Sequence, residues 1–297
     1  MPRIGAFGHD RLVGGELKLL LFDWDYATLS TNHATISESG SVMIFYQTTF
    51  IGIDPTAGQR PMAYAALDND LQILALGEAS LDEVTAFVGG QQAAFVAING
   101  PRRPNQGLMK DEARRAALNP VPNPGRWEDF RVAEYLVNQH GIRMPRTPDH
   151  LSACPGWMQR GFELYQRLER LGFRDYPVED GPCQVLEVYP HASYTVLLGL
   201  VPFVKDSLEG RLQRQLVLHN RGLEVADPMR VFEEITRYKL LQGILPLETI
   251  YAVPDLDALV AAYTAWVAAH HSEDVLLLGD PTEGQITLPR AELLSKY

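Results

Sequence analysis

Three strands that the sequence predicts to be buried carry a polar side chain at or near their carboxyl ends. Asp54 closes the run Phe-Ile-Gly-Ile-Asp before a proline, and Asn99 closes Phe-Val-Ala-Ile-Asn before Gly-Pro. Glu187 interrupts Val-Leu-Glu-Val-Tyr, again shortly before a proline. For any one of them alone, a structural role as a turn cap or an arginine partner explains the residue as well as a functional site does. Ligands of open α/β sheets bind outside the carboxyl ends of the strands, so the three together favour a site.

A fourth candidate lies on the last predicted helix, Leu256–His270, whose apolar residues recur at helical spacing. Asp255 is expected to be the N-cap of this helix, and Asp257 follows on the flank of the apolar stripe. An acidic first turn is stabilised by the helix dipole, which accounts for Asp255 and less completely for a second acid. Several alanines along the helix would let it approach the sheet closely.

Converging carboxylates at strand ends are typical of sites for hard divalent cations. Mg²⁺ takes one or two protein carboxylates, together with water and phosphate oxygens. Asp54, Glu187 and Asp257 are therefore expected to share Mg²⁺ or Mn²⁺, with Asn99 beside them. Such a centre would activate water and stabilise the leaving oxygen of a phosphodiester.

The elements that must position these residues begin with three strands, two of them joined as a hairpin, and continue with helices and strands in alternation. The strands are expected at 49–54, 62–67, 71–77, 93–98, 184–189, 275–278 and 285–288. The helices are expected from Ser80 to about Gly90, near 107–117 and 126–140, and at 156–171, 191–199, 206–220, 228–243 and 256–270. Alternation implies parallel pairing through right-handed crossovers, hence a mixed α/β sheet covered by helices.

Composition limits how a polyanion could bind. The chain of 297 residues has 26 Lys and Arg against 37 Asp and Glu, a formal charge of −11, so a nucleic acid needs a local basic patch. The segment 102–146 has nine basic and five acidic residues and is net +4. Because it follows Asn99 directly, Arg102 and Arg103 are the expected phosphate contacts. The helix that carries Lys205, Arg211 and Arg214 is a second, weaker basic surface.

The remaining composition indicates a soluble, cytoplasmic, globular protein. Two cysteines without C-x-x-C spacing argue against a disulfide scaffold, and no apolar stretch is long enough for a membrane span. Residues 1–46 lack a sustained period and are expected to be an extension outside the core. One hypothesis makes this extension non-native, with Met43 as the natural start. Residues 47–297 are expected to form a single domain.

Five ordered motifs resemble the family called "domain of unknown function 429". They are FIGID at 50–54, VAING-P from 96, LEVYPH from 186, DLDALVAAYTAW at 255–266 and LGDPTEGQITLP at 278–289, and the resemblance covers about residues 48–290. The family is described as predicted nucleases with a ribonuclease H-like fold, in which three antiparallel strands are followed by parallel strands flanked by helices. That order agrees with the elements expected above.

The resemblance also implies roles for single residues. Asp54 corresponds to the first-strand acid, Glu187 to the acid of an E-V-x-P motif and Asp257 to the acid of a D-A helix motif. Asn99 departs from the pattern, which commonly has Asp there, and leaves the site one negative charge poorer. Glu283, in the E-G turn, is a further ligand or a turn residue, with the turn favoured.

Three functions follow from these residues. The first is a Mg²⁺- or Mn²⁺-dependent nuclease that hydrolyses nucleic acid. The second is a non-catalytic nucleic-acid or nucleotide binding module on the same fold, and Asn99 and the acidic net charge favour it. The third is a phosphotransferase, suggested by Asp54-Pro-Thr-Ala-Gly58, although the duplicated half that it requires is missing. Dinucleotide, P-loop, zincin and serine-hydrolase motifs do not occur.

Overall fold

A mixed sheet of eight strands organises the chain. The structure is a computed structural model that describes residues 47–56, 60–123, 125–179 and 181–297. The strands are β1 (Thr49–Asp54), β2 (Met62–Leu67), β3 (Ile73–Ala79), β4 (Ala94–Asn99), β5 (Arg174–Asp175), β6 (Cys183–Val188), β7 (Leu276–Asp280) and β8 (Gly284–Leu288). Their order across the sheet is β3-β2-β1-β4-β6-β8-β7, and the two-residue β5 pairs with β6.

The strand directions divide the sheet into antiparallel and parallel parts. β3, β2 and β1 are antiparallel neighbours, whereas β1, β4, β6 and β8 run parallel. β7 returns antiparallel to β8. The register between β6 and β8 contains one pair, Glu187 with Ile286, so the sheet is weakly joined at this position. The carboxyl ends of β1, β4 and β6 lie at one edge of the sheet.

Nine α-helices are found in the described ranges. They are α1 (Leu81–Gly89), α2 (Glu112–Ala116), α3 (Val132–Gln139), α4 (Gly156–Arg170), α5 (Pro190–Leu198), α6 (Leu208–Asn220), α7 (Arg230–Glu234), α8 (Arg237–Leu241) and α9 (Val253–His270). Side chains of α1 and α4 form one core with Ile51, Ile53 and Ile98. Side chains of α5, α6 and α9 form the other core with Phe50 and Ala97. Alternate residues of each strand therefore face different helical layers.

Helix α9 packs directly on the backbone of β1. A Cβ atom added to Gly52 would lie 1.9 Å from the carbonyl oxygen of Ala258 and 2.3 Å from the nitrogen of Ala262. The other end of the helix lies at the start of the strand, where the rings of His270 and Phe50 are 5.1 Å apart. The helix thus runs antiparallel to β1, and its first turns lie beside the carboxyl end of that strand.

Most expected elements are present, and the differences have local causes. The capping box at Ser80 and Glu83 is formed, with the two hydrogen bonds that it requires. Helix α9 begins at Val253, so Asp255 is not the N-cap; it lies in the first turn and accepts a hydrogen bond from the Ala252 amide. The helix expected over 228–243 is broken into α7 and α8, because the chain is extended at Ile235 and Thr236.

Two further expectations concern the chain as a whole. No helix in the described ranges is long and apolar enough to cross a membrane. Cys154 is buried and Cys183 half-buried, and both are free thiols. The extension expected at 1–46, with the proposed start at Met43, lies outside the described residues.

Candidate functional site

Asp54 and Asn99 lie side by side at the carboxyl ends of β1 and β4. Both belong to the strand faces that α9 covers, since Gly52 contacts that helix and Ala97 packs in its core. The Asn99 side-chain amide donates a hydrogen bond of 2.6 Å to Oδ1 of Asp54. Within the described residues, no group donates a hydrogen bond to the side-chain carbonyl oxygen of Asn99 or to the second carboxylate oxygen of Asp54.

Asp257 joins this pair from α9. The antiparallel course of the helix brings its first turns to the end of β1, and Asp257 is only 6% exposed. Among the described residues, no group donates a hydrogen bond to its carboxylate, and the nearest cation is the Lys205 ammonium, 3.9 Å from Oδ2. A buried carboxylate with one loose cationic neighbour is energetically costly, which is typical of functional sites.

The pKa values of both carboxyls reflect that cost. Burial raises the pKa of Asp54 to about 6, against the Asn99 hydrogen bond and the charge of Lys205, which lower it. Burial raises the pKa of Asp257 to about 7, and the negative charge of Asp54 raises it further. The charges of Lys205 and Arg214 offset part of this effect. A divalent cation between the two groups would relieve both the desolvation and the repulsion.

The residues that follow β6 complete the surroundings of this site. Arg214 is buried and donates to the carbonyl oxygens of Phe203 and Gly210. Burial lowers the pKa of His191, and the charges of Arg214 and Lys205 lower it further, which favours the neutral form of its imidazole. The rings of His191 and Tyr189 are 5.9 Å apart, and burial and the charge of Asp257 raise the pKa of Tyr189.

Glu187 does not join Asp54 and Asp257, which corrects the expected three-carboxylate centre. In the register of β4 and β6, Glu187 pairs with Ile98 and Val188 pairs with Asn99. Paired residues of a parallel sheet share a face, and Ile98 belongs to the core on the α1 and α4 side. Glu187 therefore lies on the opposite face of the sheet from Asp54, and the alternation of strand side chains is the physical reason.

On that face, Glu187 belongs to a buried ionic network. Both terminal nitrogens of the Arg131 guanidinium donate hydrogen bonds to its carboxylate, and the backbone amide of Arg102 donates a further one at 2.8 Å. Burial disfavours the charge of Arg131, but Glu187 and Glu134 more than offset this and raise its pKa. The carboxylate of Glu187 is thus paired with Arg131 and Arg102 on this face, away from Asp54.

Glu283 extends the same network, and the expectation of a turn residue describes it better than that of a ligand. Its side chain is fully buried and accepts hydrogen bonds from the backbone amides of Gln106 and Val132, each at 2.9 Å. Val132 is the first residue of α3, so Glu283 satisfies the N-terminus of that helix. Burial raises its pKa.

The expected phosphate contacts are only partly available. The Arg102 guanidinium is bound to Asp175 at 2.8 Å and Glu169 at 3.3 Å, and its backbone amide donates to Glu187, so Arg102 lies on the face of the sheet opposite Asp54. Arg103 is half-buried and forms no ion pair with a described residue. The second basic surface is also corrected, because Arg211 binds backbone carbonyls and Arg214 is buried. Lys205 alone of that set reaches the site.

A different trio of potential ligands lies at the end of α9. His271, Glu273 and Asp274 offer ligand atoms within 4.8 Å of one another, the one group of three or more such residues in the described ranges. All three are exposed, and the expected trio of Asp54, Glu187 and Asp257 does not meet the same criterion. The candidate site therefore contains two carboxylates and one carboxamide.

The comparisons with known proteins identify the family. The family described as "Protein of unknown function (DUF429)" matches residues 52–283, a range that contains every strand-end residue of the site. The chain, an α/β protein with a mixed sheet, therefore belongs to that family. No curated protein and no solved structure gave a significant match.

Lys205, His191 and Tyr189 were not expected at this site. The signal for the last two was present, because both lie at or directly after the carboxyl end of the strand expected at 184–189. Lys205 lies in the connection between α5 and α6, and no periodic pattern predicts where such a connection lies.

Proposed function

We propose that this protein is a divalent-cation-dependent phosphodiesterase that hydrolyses nucleic acid. One observation carries the proposal: the half-buried carboxyl of Asp54 and the buried carboxyl of Asp257 come from separate elements, burial raises the pKa of both, and the charge of Asp54 raises that of Asp257 further. A single lysine at 3.9 Å is the closest cation in the described ranges. Such a pair is stabilised by a small cation of double charge, and oxygen donors suit Mg²⁺ or Mn²⁺.

The donor set fits this ion. Asp54, Asp257 and the carbonyl oxygen of Asn99 would hold it, which leaves room for water and phosphate oxygens. When bound, the ion would supply Lewis-acid stabilisation of the phosphate charge. The strand order β3-β2-β1-β4-β6 supports a ribonuclease H-like fold, in which an acid at the end of the first strand is expected.

The chain's own groups have distinct roles in this proposal. The Asn99 amide orients Asp54 through its 2.6 Å hydrogen bond. Lys205, whose side chain is 57% exposed, contacts the substrate phosphate from the solvent side. The proposed acceptor of a proton from the attacking water is the imidazole of His191, whose neutral form is favoured by burial and by the nearby charges of Arg214 and Lys205.

Metal titration calorimetry tests the binding step. We expect Mn²⁺ to bind the wild type with one site, and Asp54→Asn and Asp257→Asn to lose that binding. Asp175→Asn is the matched control, because it removes a carboxylate that pairs with Arg102 on the other face of the sheet. Equal Mn²⁺ affinity in all four proteins would contradict the proposed centre.

Cleavage of labelled RNA and DNA oligonucleotides tests catalysis. The wild type should cleave with Mn²⁺ or Mg²⁺ and not with EDTA, and Asp54→Asn should be inactive. Residual activity of equal size in both proteins would indicate contamination.

A binding module without catalysis is the second candidate, and a specific observation favours it. Asn99 contributes no charge, and Glu187 is paired with Arg131, so two negative ligands remain. Mn²⁺ binding and oligonucleotide binding without cleavage would favour this candidate. The phosphotransferase hypothesis gains no support, since Gly58 of its hairpin lies outside the described residues and Thr56 binds the carbonyl oxygens of Arg60 and Pro61.

A further inference from the structure

A cavity of about 540 Å³ beside α3 combines guanidinium groups with aromatic rings. Its principal lining residues are Arg126, Trp127, Phe130, Arg143, Arg146 and Tyr189, here called the arginine–aromatic cavity. The volume is in the range of small-molecule sites, about 300–1,000 Å³. Five of these six residues come from the segment 102–146, whose net charge is +4.

Two of the three guanidiniums are uncompensated. Arg146 pairs with Asp129 at 3.2 Å, whereas Arg126 and Arg143 form no ion pair with any carboxylate in the described part of the chain. The other basic residues of the segment, apart from Arg103, are all engaged by acids. Two exposed and unpaired guanidiniums at one cavity are suited to an anion, and their planar geometry matches phosphate oxygens.

The aromatic walls are fixed in position. The Trp127 ring lies 4.9 Å from Phe130 and 5.3 Å from Tyr135, in edge-to-face contacts, with the Arg126 guanidinium 5.1 Å from its centroid. On the other side, the Tyr189 hydroxyl donates to the carbonyl oxygen of Arg143 at 3.2 Å. These rings offer surfaces on which a planar base can stack.

The cavity borders the proposed catalytic site. Tyr189 follows β6 at the same edge of the sheet as Asp54 and Asn99, and its hydroxyl is influenced by both Asp257 and Arg143. Tyr189, which lines the arginine–aromatic cavity, is therefore close enough to feel the charge of Asp257.

We infer that the arginine–aromatic cavity binds an unpaired nucleotide, with its base against the aromatic walls and its phosphate at Arg126 and Arg143. The inference rests on the proposed function for the position of the scissile bond, and it makes single-stranded nucleic acid the substrate class. A duplex would not present a free base to these rings, because its bases are stacked and paired.

Binding without metal tests the cavity independently of catalysis. Fluorescence anisotropy with a labelled single-stranded octanucleotide in EDTA should show binding that weakens with salt. The double variant Arg126→Gln/Arg143→Gln should bind about ten-fold more weakly, and the slope of log affinity against log salt should fall by about 1.4, as expected for two lost phosphate contacts on a single strand. The control variant Arg230→Gln/Arg237→Gln removes two other exposed arginines and should bind like the wild type.

Two further experiments test the aromatic walls and the class of ligand. Trp127→Leu should weaken binding while the salt slope is unchanged, because stacking releases no counterions. A mononucleotide that competes with the octanucleotide at equal affinity would keep the cavity as the site and make a free nucleotide its ligand. Preference for a blunt duplex, or equal losses in the cavity and control variants, would overturn the inference.

The outcomes separate this inference from the proposed function. Loss of binding in the cavity variants, with no metal-dependent cleavage by the wild type, would support the cavity and contradict catalysis. Metal-dependent cleavage that is lost in Asp54→Asn, together with unchanged binding in the cavity variants, would support catalysis and overturn the cavity.

Discussion

Replacement of Asp257 by asparagine should stabilise the metal-free protein at alkaline pH. Burial raises the pKa of this carboxyl from 3.8 to about 7 in the native state. In the unfolded chain the carboxyl is exposed and ionises at its ordinary pKa, so above that pH folding must bury a charge or take up a proton. The unfolded state releases this proton near pH 4 and the native state only near pH 7. The favourable effect of the protonated group is complete below about pH 4 and is lost as the pH rises to about 7.

The size of the effect follows from the pKa values. Between about pH 5 and about pH 8, the titration of Asp257 lowers the free energy of unfolding of the wild type by about 2–3 kcal/mol. The carboxamide of an asparagine side chain does not titrate, so Asp257→Asn should lack this part of the pH dependence.

Urea unfolding in EDTA, followed by circular dichroism, measures the difference. The gain in stability of Asp257→Asn over the wild type should be about 2–3 kcal/mol larger at about pH 8 than at about pH 5. Asp70→Asn, which removes one exposed charge in the turn between β2 and β3, is the control and should show no such trend. A difference between wild type and Asp257→Asn that stays constant with pH would refute the electrostatic reasoning.

Three further substitutions test the site and its support. Lys205→Met removes the ammonium 3.9 Å from the Asp257 carboxylate, so the pKa values of both aspartates should rise and Mn²⁺ binding, followed by calorimetry, should require higher pH. Gly52→Ala places a Cβ atom 1.9 Å from a backbone oxygen of α9 and should lower the free energy of unfolding in urea by about 3 kcal/mol. Asn99→Asp should increase Mn²⁺ affinity about ten-fold in calorimetry at about pH 8, because it adds a charged ligand next to Asp54.

Each of these has a contrary result. An unchanged pH profile in Lys205→Met would separate the lysine from the carboxylates. Gly77→Ala is the control for Gly52→Ala, since a Cβ atom there would meet no atom within 4 Å, and equal effects of the two would dismiss the close packing. Weaker Mn²⁺ binding by Asn99→Asp would show that the hydrogen bond to Asp54 matters more than the added charge.

Much of the architecture could be predicted, because the strands carry their own signals. The apolar runs that end at Asp54, Leu67 and Asn99 are bounded by Pro, Asp or Gly, and the strands end within one residue of their expected positions. The short strand β5 could not be predicted, since it depends on pairing with β6. The split into α7 and α8 was missed because the helical pattern continues across the extended residues Ile235 and Thr236.

The site was predicted in part, for a physical reason that also explains the error. Asp54, Asn99 and Asp257 were expected together and lie around one position. Glu187 was included because its strand ends at the same edge, but position along a strand does not determine the face. Its register with Ile98, which depends on strand pairing, decides the face and could not be read from a single strand.

Because β6 and β8 are weakly joined, the Glu187 network helps to hold the terminal hairpin in place. With one registered pair there, the backbone offers little to hold the terminal hairpin against the rest of the sheet. Arg131, at the start of α3, bonds to Glu187 of β6, while Glu283 of the hairpin turn holds the first amide of the same helix. Charged side chains therefore connect the terminal hairpin, through α3, to the rest of the sheet. Replacement of Glu187 by glutamine would weaken these contacts, and the amides of β7 and β8 should then exchange their hydrogens with solvent ahead of those in β1 and β4.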